Sequence, residues 1–131
     1  MARSIKDKIV LITGASAGIG FACASTFADA GARVVLVARG EERLNAAVAH
    51  LRTAGGRAEG IVADVGTDAG CDHLLDTFCA RYDSLDILIN NAGLHHRGLY
   101  AAVDADALAD MIRVNLQSPI RLTRKALDLL I

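Results

Sequence analysis

The eight residues Thr13-Gly14-Ala15-Ser16-Ala17-Gly18-Ile19-Gly20 constrain the fold more than any other part of the chain. They follow an apolar, strand-like run at residues 8–12 and open a run with helical spacing. A glycine-rich turn in that setting lets the backbone approach a ligand closely. The start of the helix then offers unpaired N–H groups and the positive end of its dipole. Glycine patterns also arise as plain turns, but a strand before and a helix after point to phosphate, and to a dinucleotide in particular.

The remainder of the chain repeats the alternation. Strands are predicted at residues 9–13, 33–38, 58–63 and 86–89. Helices are predicted at 18–30 and 41–54, from an N-cap at Thr67 through Tyr82, and from about 104–106 toward the C-terminus. Gly31 and the pair Gly55-Gly56 stop the first two helices. The inward residues are expected to be Ala22, Cys23 and Phe27 in the first helix, Leu44, Val48 and Leu51 in the second, and Leu74, Leu75 and Phe78 in the third. In the last, Leu108, Met111, Ile112, Leu116 and Ile120 recur at helical spacing. Pro119 lies within that helix, where it removes one backbone hydrogen bond and favours a bend near Asn115. Strands alternating with helices, joined by right-handed crossovers, give an α/β architecture: a Rossmann-type doubly wound parallel sheet, incomplete, with four strands in the order 3-2-1-4. Residues 1–131 form one domain without repeats or linkers.

Composition narrows the partners. With 53% apolar and 22% charged residues the chain has the material for one globular core. A net charge of −1 gives no reason to expect nucleic acid or an anionic membrane, and 4% aromatic residues give no base-stacking surface. Apolar runs such as residues 34–38 are far too short to span a bilayer. Met1-Ala2-Arg3-Ser4 leads straight into the first strand, leaving no room for a signal peptide, and a cytoplasmic protein is expected. Cys23, Cys71 and Cys79 are odd in number and lack CxxC spacing. Cys23 and Cys79 read as small core residues. Cys71 and His73, two apart, do not share a helix face, so no metal is expected.

The ends of the predicted strands carry the chemistry. NAD-binding folds of this kind place an acid after the second strand to take the ribose hydroxyls. Here the strand ends Val37-Ala38-Arg39-Gly40. A guanidinium suits a 2′-phosphate, which it can hold through two charge-assisted hydrogen bonds, so NADP(H) is favoured over NAD(H); the alternative is a solvated loop charge. Asp64-Val65 follows the third strand, where the alternative for Asp64 is a simple cap leading the next helix. Asn90-Asn91-Ala92-Gly93 follows the fourth, where asparagines also form turns. Asn115 is a polar residue on an apolar helix, facing solvent or serving a function.

Taken together, the TGxxxGxG pattern at residues 13–20, Asp64-Val65, Asn90-Asn91-Ala92-Gly93 and Asn115 followed by Leu116-Gln117-Ser118-Pro119 resemble the short-chain dehydrogenases/reductases, over the whole chain. The resemblance implies that Gly14, Gly18, Ile19 and Gly20 line a pyrophosphate, and that Ser16 and Arg39 hold the adenosine ribose and its 2′-phosphate. It implies that Asp64 accepts from the adenine amino group with Val65 beside the ring. Asn91, Ala92 and Gly93 would border the cofactor and brace the first and fourth strands. Asn115 would be the catalytic asparagine, in an interrupted helix whose backbone carbonyl holds a water of a proton relay. The implied reaction is hydride transfer between a nicotinamide and an alcohol or carbonyl carbon.

The family's proton donor is a tyrosine followed four residues later by lysine, with a serine upstream. The two tyrosines here, Tyr82 and Tyr100, are followed at that distance by Asp86 and Asp104. Tyr82 reads as helix-end packing, Tyr100 as part of a loop, and Lys125 as a surface charge. The resemblance therefore implies the cofactor-binding half, truncated before the catalytic serine, tyrosine and lysine and inactive alone. The alternative is a short nucleotide-binding or assembly module without catalysis. On either reading an uncovered fourth strand and last helix expose apolar surface, so self-association is expected. His95 and His96, just after Gly93, read as a polar loop or a pH-sensitive contact.

Overall fold

The computed structural model describes residues 4–131; Met1, Ala2 and Arg3, on which the reading of the N-terminal lead rests, lie outside the described residues. The elements alternate as β1 (Ile9–Thr13), α1 (Gly18–Asp29), β2 (Arg33–Ala38), α2 (Glu41–Thr53), β3 (Arg57–Val62), α3 (Asp68–Cys79) and β4 (Ile87–Ile89). A 3₁₀ turn (Tyr100–Ala102), α4 (Ala105–Ile112), a π-helical turn (Arg113–Gln117) and α5 (Ser118–Leu130) follow. The strands form one parallel sheet in the order β3-β2-β1-β4, as the alternation requires. Ile12 pairs with Leu36 on one side and Ile89 on the other.

Burial on both faces explains the unbroken apolar runs of β1 and β2. Val10, Ile12, Val34 and Leu36 pack against α1 and α2. Leu11, Val35 and Val37 face the opposite layer, where Leu74 and Phe78 of α3 meet Leu122 and Ala126 of α5.

Leu44, Val48 and Leu51 of α2 and Leu74, Leu75 and Phe78 of α3 are buried where expected. In α1 the phase differs. Gly20, Ala24 and Ala28 form its buried stripe, Cys23 and Phe27 are half-buried, and Ala22 is exposed rather than inward. The close seat of Gly20 on the preceding turn sets that phase. As expected, helix α3 is capped by Thr67, whose hydroxyl accepts from Gly70 N–H at 2.9 Å, but it ends at Cys79 rather than Tyr82. Tyr82 nonetheless packs on Phe78, with ring centroids 5.0 Å apart. Cys79, expected in the core, is exposed on the last turn, whereas Cys71 is fully buried. The Cys71 thiol donates to the Val65 carbonyl at 3.4 Å, and burial pushes its pKa up.

The predicted last helix is three segments, and its irregularity at Asn115 is an inserted residue rather than a simple bend. Ser118 N–H reaches back five residues to the Arg113 carbonyl, and its hydroxyl donates to the same oxygen at 3.0 Å. This π turn places Pro119 at the start of α5, immediately after the Ser118–Arg113 bond, and the carbonyl four residues back, on Asn115, receives no N–H from it. Strand β4 is only three residues long and pairs with β1 alone among the described residues. Its start is tied to β1 by Asp86, whose carboxylate accepts from Ile9 N–H at 2.8 Å and from Lys8 Nζ at 3.1 Å. No helix among the described residues is long and apolar enough to cross a membrane.

Candidate functional site

Because all four strands run in one direction, their carboxyl ends deliver four loops to one edge of the sheet. A cavity of about 550 Å³ opens there, within the size range of small-molecule sites. Gly14 and Ser16 from the β1–α1 turn form one wall. Arg39 and Gly40 after β2, with Arg43 in the first turn of α2, form another. Asp64, Val65 and Gly66 after β3, then Ala92, Gly93 and Leu94 after β4, close it, with Val114 of the π turn beneath.

Each glycine of the first turn is needed for a different reason. Gly14 has φ +62°, and a Cβ on it would sit 2.9 Å from Ala92 Cα. Gly18 has φ +59° but faces open space, so it answers a conformational demand alone. Gly20 is the reverse: its φ is ordinary, yet a Cβ would collide with the Gly14 carbonyl oxygen and the Asn91 amide. Helix α1 can therefore start close against the turn.

A small hydrogen-bond network locks β1 to the loop after β4. The buried Thr13 hydroxyl accepts from the backbone N–H of both Asn91 and Ala92 at 3.0 Å. In return Asn91 Nδ2 donates to the carbonyls of Thr13 and Gly14, each at 3.1 Å. Asn90 turns the other way and donates to Thr123 Oγ1 of α5 at 3.0 Å.

After β3, Asp64 Oδ1 accepts from Gly66 N–H at 2.9 Å, so the carboxylate shapes its own turn while Thr67 caps α3. The Arg113 guanidinium then donates to the Gly66 carbonyl at 2.5 Å and to Asp110 Oδ1 at 3.0 Å. Asn115 grips the loop after β4 with both ends of its amide. Its Oδ1 accepts from Leu94 N–H and its Nδ2 donates to the Leu94 carbonyl, both at 2.8 Å. Pro119 has no N–H to offer the Asn115 backbone carbonyl four residues earlier.

Of the residues singled out from sequence, Gly14, Ser16, Arg39, Asp64, Val65, Ala92 and Gly93 line the cavity. Gly18, Ile19, Gly20, Asn91 and Asn115 do not; they shape or brace the loops that do, and Ile19 is 77% exposed. The sequence reading passed over Arg43, Gly66, Leu94 and Val114, which join the lining through tertiary placement. For Arg43 a signal existed, since it falls four residues after Arg39. Tyr82 and Tyr100 are both absent from the lining, and Tyr100 is 83% exposed. Lys125 proves more than a lone surface charge: it bridges α5 to α3 through Asp72 at 2.5 Å and Asp68 at 3.4 Å. The Asp72 contact, followed by Asp68, raises its pKa.

The family model described as short chain dehydrogenase matches residues 8–131. The uncharacterized oxidoreductase YvaG of Bacillus subtilis is 35% identical over 131 residues, covering 97% of this chain and 47% of that protein. The 3-oxoacyl-[acyl-carrier-protein] reductase FabG of Escherichia coli is 35% identical over 121 residues, covering 92% and 48%. Among solved structures, L-sorbose reductase from Gluconobacter frateurii, complexed with NADPH and L-sorbose, superposes with a TM-score of 0.91 at 32% identity, covering 99% of this chain and 50% of that one. A metagenomic short-chain oxidoreductase in complex with NADP gives 0.88 at 33% identity, covering 96% and 57%. The chain thus spans about half the length of the curated relatives it matches.

Proposed function

The chain belongs to the short-chain dehydrogenase family of oxidoreductases, and from that premise we propose that residues 1–131 are a dinucleotide-binding Rossmann domain that takes NADP(H) in preference to NAD(H). One observation carries the preference: at the end of β2, where an acid would accept from a ribose hydroxyl, Arg39 lines the cavity instead. The relatives solved with NADPH and with NADP support the same cofactor class.

The donors present fit such a group. Gly14, Gly18, Ile19 and Gly20 form the glycine turn for the pyrophosphate, with backbone N–H groups at the start of α1 available to it. Ser16 and Arg39 would take the ribose and its 2′-phosphate. Asp64 would accept from the adenine amino group, with Val65 against the ring. Asn91, Ala92 and Gly93 would border the cofactor and brace the first and fourth strands, with Asn91 and Ala92 held by Thr13. When bound, the nicotinamide supplies a hydride to, or accepts one from, an alcohol or carbonyl carbon.

Asn115 is assigned a part in proton movement. Its side chain is committed to Leu94, which leaves the backbone carbonyl, without a bond from Pro119, to hold a water. A proton donor of the form Tyr-x-x-x-Lys does not occur in these 131 residues. The chain by itself is therefore proposed to bind cofactor without turning over a substrate. Purified as this polypeptide, it should oxidise no NADPH with any carbonyl. A rate abolished by Gly14→Ala would overturn that proposal.

The cofactor assignment is tested by titrating NADPH and NADH into the wild type and Arg39→Asp. Loss of a charge-assisted hydrogen bond and its replacement by a repelling carboxylate should weaken NADPH by roughly tenfold to a hundredfold and spare NADH. An unchanged ratio of the two affinities would remove the basis for the NADP(H) preference.

A second reading, a nucleotide-binding or assembly module without catalysis, is favoured by the apolar surface of the last helices. Ile112, Leu116 and Ile120 are 57%, 55% and 62% exposed, and β4 is paired on one side only among the described residues. Self-association through that surface is proposed under either reading.

A further inference from the structure

We propose that Arg43 is a second specificity-determining cation, which together with Arg39 clamps the 2′-phosphate of NADP(H) between two guanidinium groups. The inference rests on the cofactor reading above and assigns to it a residue on a different element. Arg39 directly follows β2, whereas Arg43 sits in the first turn of α2, and both line the same cavity with Ser16. Neither makes an ion pair or a side-chain hydrogen bond among the described residues, although Glu41 and Glu42 stand in the same helical turn. Those two acids are not part of the lining.

Space and backbone agree with an anion at this place. Gly40 between the two arginines is the N-cap of α2 and offers no side-chain cap to the first-turn N–H groups. A Cβ built on it would meet nothing within 4 Å, so the region is open. A phosphate monoester carries about −1.5 to −2 charges at neutral pH, which one guanidinium leaves partly uncompensated and two match. The helix N-terminus adds to the same field. Arg39 alone would orient the phosphate; Arg43 makes the pocket complementary to a dianion rather than to a hydroxyl.

The test measures dissociation constants of NADPH, NADH, 2′,5′-ADP and 5′-AMP for wild type, Arg43→Ala, Arg43→Lys, Arg39→Ala and the double alanine variant. Arg43→Ala should weaken NADPH and 2′,5′-ADP by roughly tenfold while NADH and 5′-AMP stay within about twofold, which also reports that the fold is intact. Arg43→Lys should recover part of the loss, because the charge stays but the planar fork is gone. The double variant should bring NADPH down to the affinity of NADH. If Arg43→Ala leaves the ratio of NADPH to NADH affinity unchanged, the clamp is refuted while the role of Arg39 stands. If the wild type binds neither dinucleotide, or binds NADH as tightly as NADPH, the underlying cofactor reading fails, and the clamp with it.

Discussion

At the residue scale, the site is built from side chains that are missing and one hydroxyl that is shared. Gly18 and Gly20 are both glycines of one turn, yet the physical demands on them are opposite, and this separates the costs of changing them. Gly18→Ala forces a side chain into φ +59° in open space and should cost about 1 kcal/mol. Gly20→Ala drives a methyl into the Gly14 carbonyl and Asn91, so α1 must back away, at about 2–3 kcal/mol. Urea unfolding of the two variants checks the order. Thr13→Val keeps the shape but strips the acceptor from two backbone N–H groups. It should destabilise by about 2–4 kcal/mol, with Thr13→Ser nearly neutral in the same titration.

At the element scale, the π turn couples two loops that the chain separates widely. Arg113 at its start holds the turn after β3, and Asn115 in its middle holds the loop after β4. Arg113→Met retains the apolar stem and removes the bonds to Gly66 and Asp110. The variant should lose about 1.5 kcal/mol, with faster amide exchange concentrated at residues 64–67 rather than spread over the sheet. The opposite end of the sheet has its own tie. Hydrogen bonding from Ile9 N–H, with Lys8 adding to it, holds the Asp86 carboxyl below its ordinary value of 3.8. A depressed folded-state pKa means a contribution that is complete above the unfolded value and is lost as pH falls through the folded one. Asp86→Asn should therefore be less stable than wild type at neutral pH, and the difference should close as the pH is taken from about 5 to below 3.8. Asp7, lowered by its bond to Arg57, shifts in the same direction, so some acid sensitivity should survive in the variant.

At the scale of the whole molecule, one side of the sheet ends in a three-residue strand paired with β1 alone among the described residues, and the last helices carry apolar residues outward. Ile112, Leu116 and Ile120 rise one turn apart on one face. Sedimentation of the 131-residue chain should show concentration-dependent association, and Ile112→Lys with Ile120→Lys should shift it toward monomer without changing NADPH affinity. A monomer at all concentrations would refute the proposed self-association.

What the sequence determined by itself was local and periodic. Short β-branched runs bounded by turn residues read as strands buried on both faces, and glycines at residues 14, 18 and 20 after such a run point to a tight turn into a helix. Strand order followed from crossover handedness, and Arg39, Asp64 and Asn91 could be placed at strand ends because position along the chain fixes those ends. Facing and pairing were another matter. That Ala24 rather than Ala22 meets the sheet depends on how Gly20 seats against Gly14 and Asn91. The helix bearing Pro119 could bend or take in a residue, and packing of Leu122 and Ala126 on α3, with the hydroxyl of Ser118, accompanies the second solution. Leu94 and Val114 reach the cavity, and Arg113 reaches Gly66, only because separate loops converge at one edge. Such contacts join residues far apart in sequence, and periodicity carries no information about them. The backbone's local preferences are written in the chain one turn at a time, whereas the cavity exists only once the four parallel strands have brought their ends together.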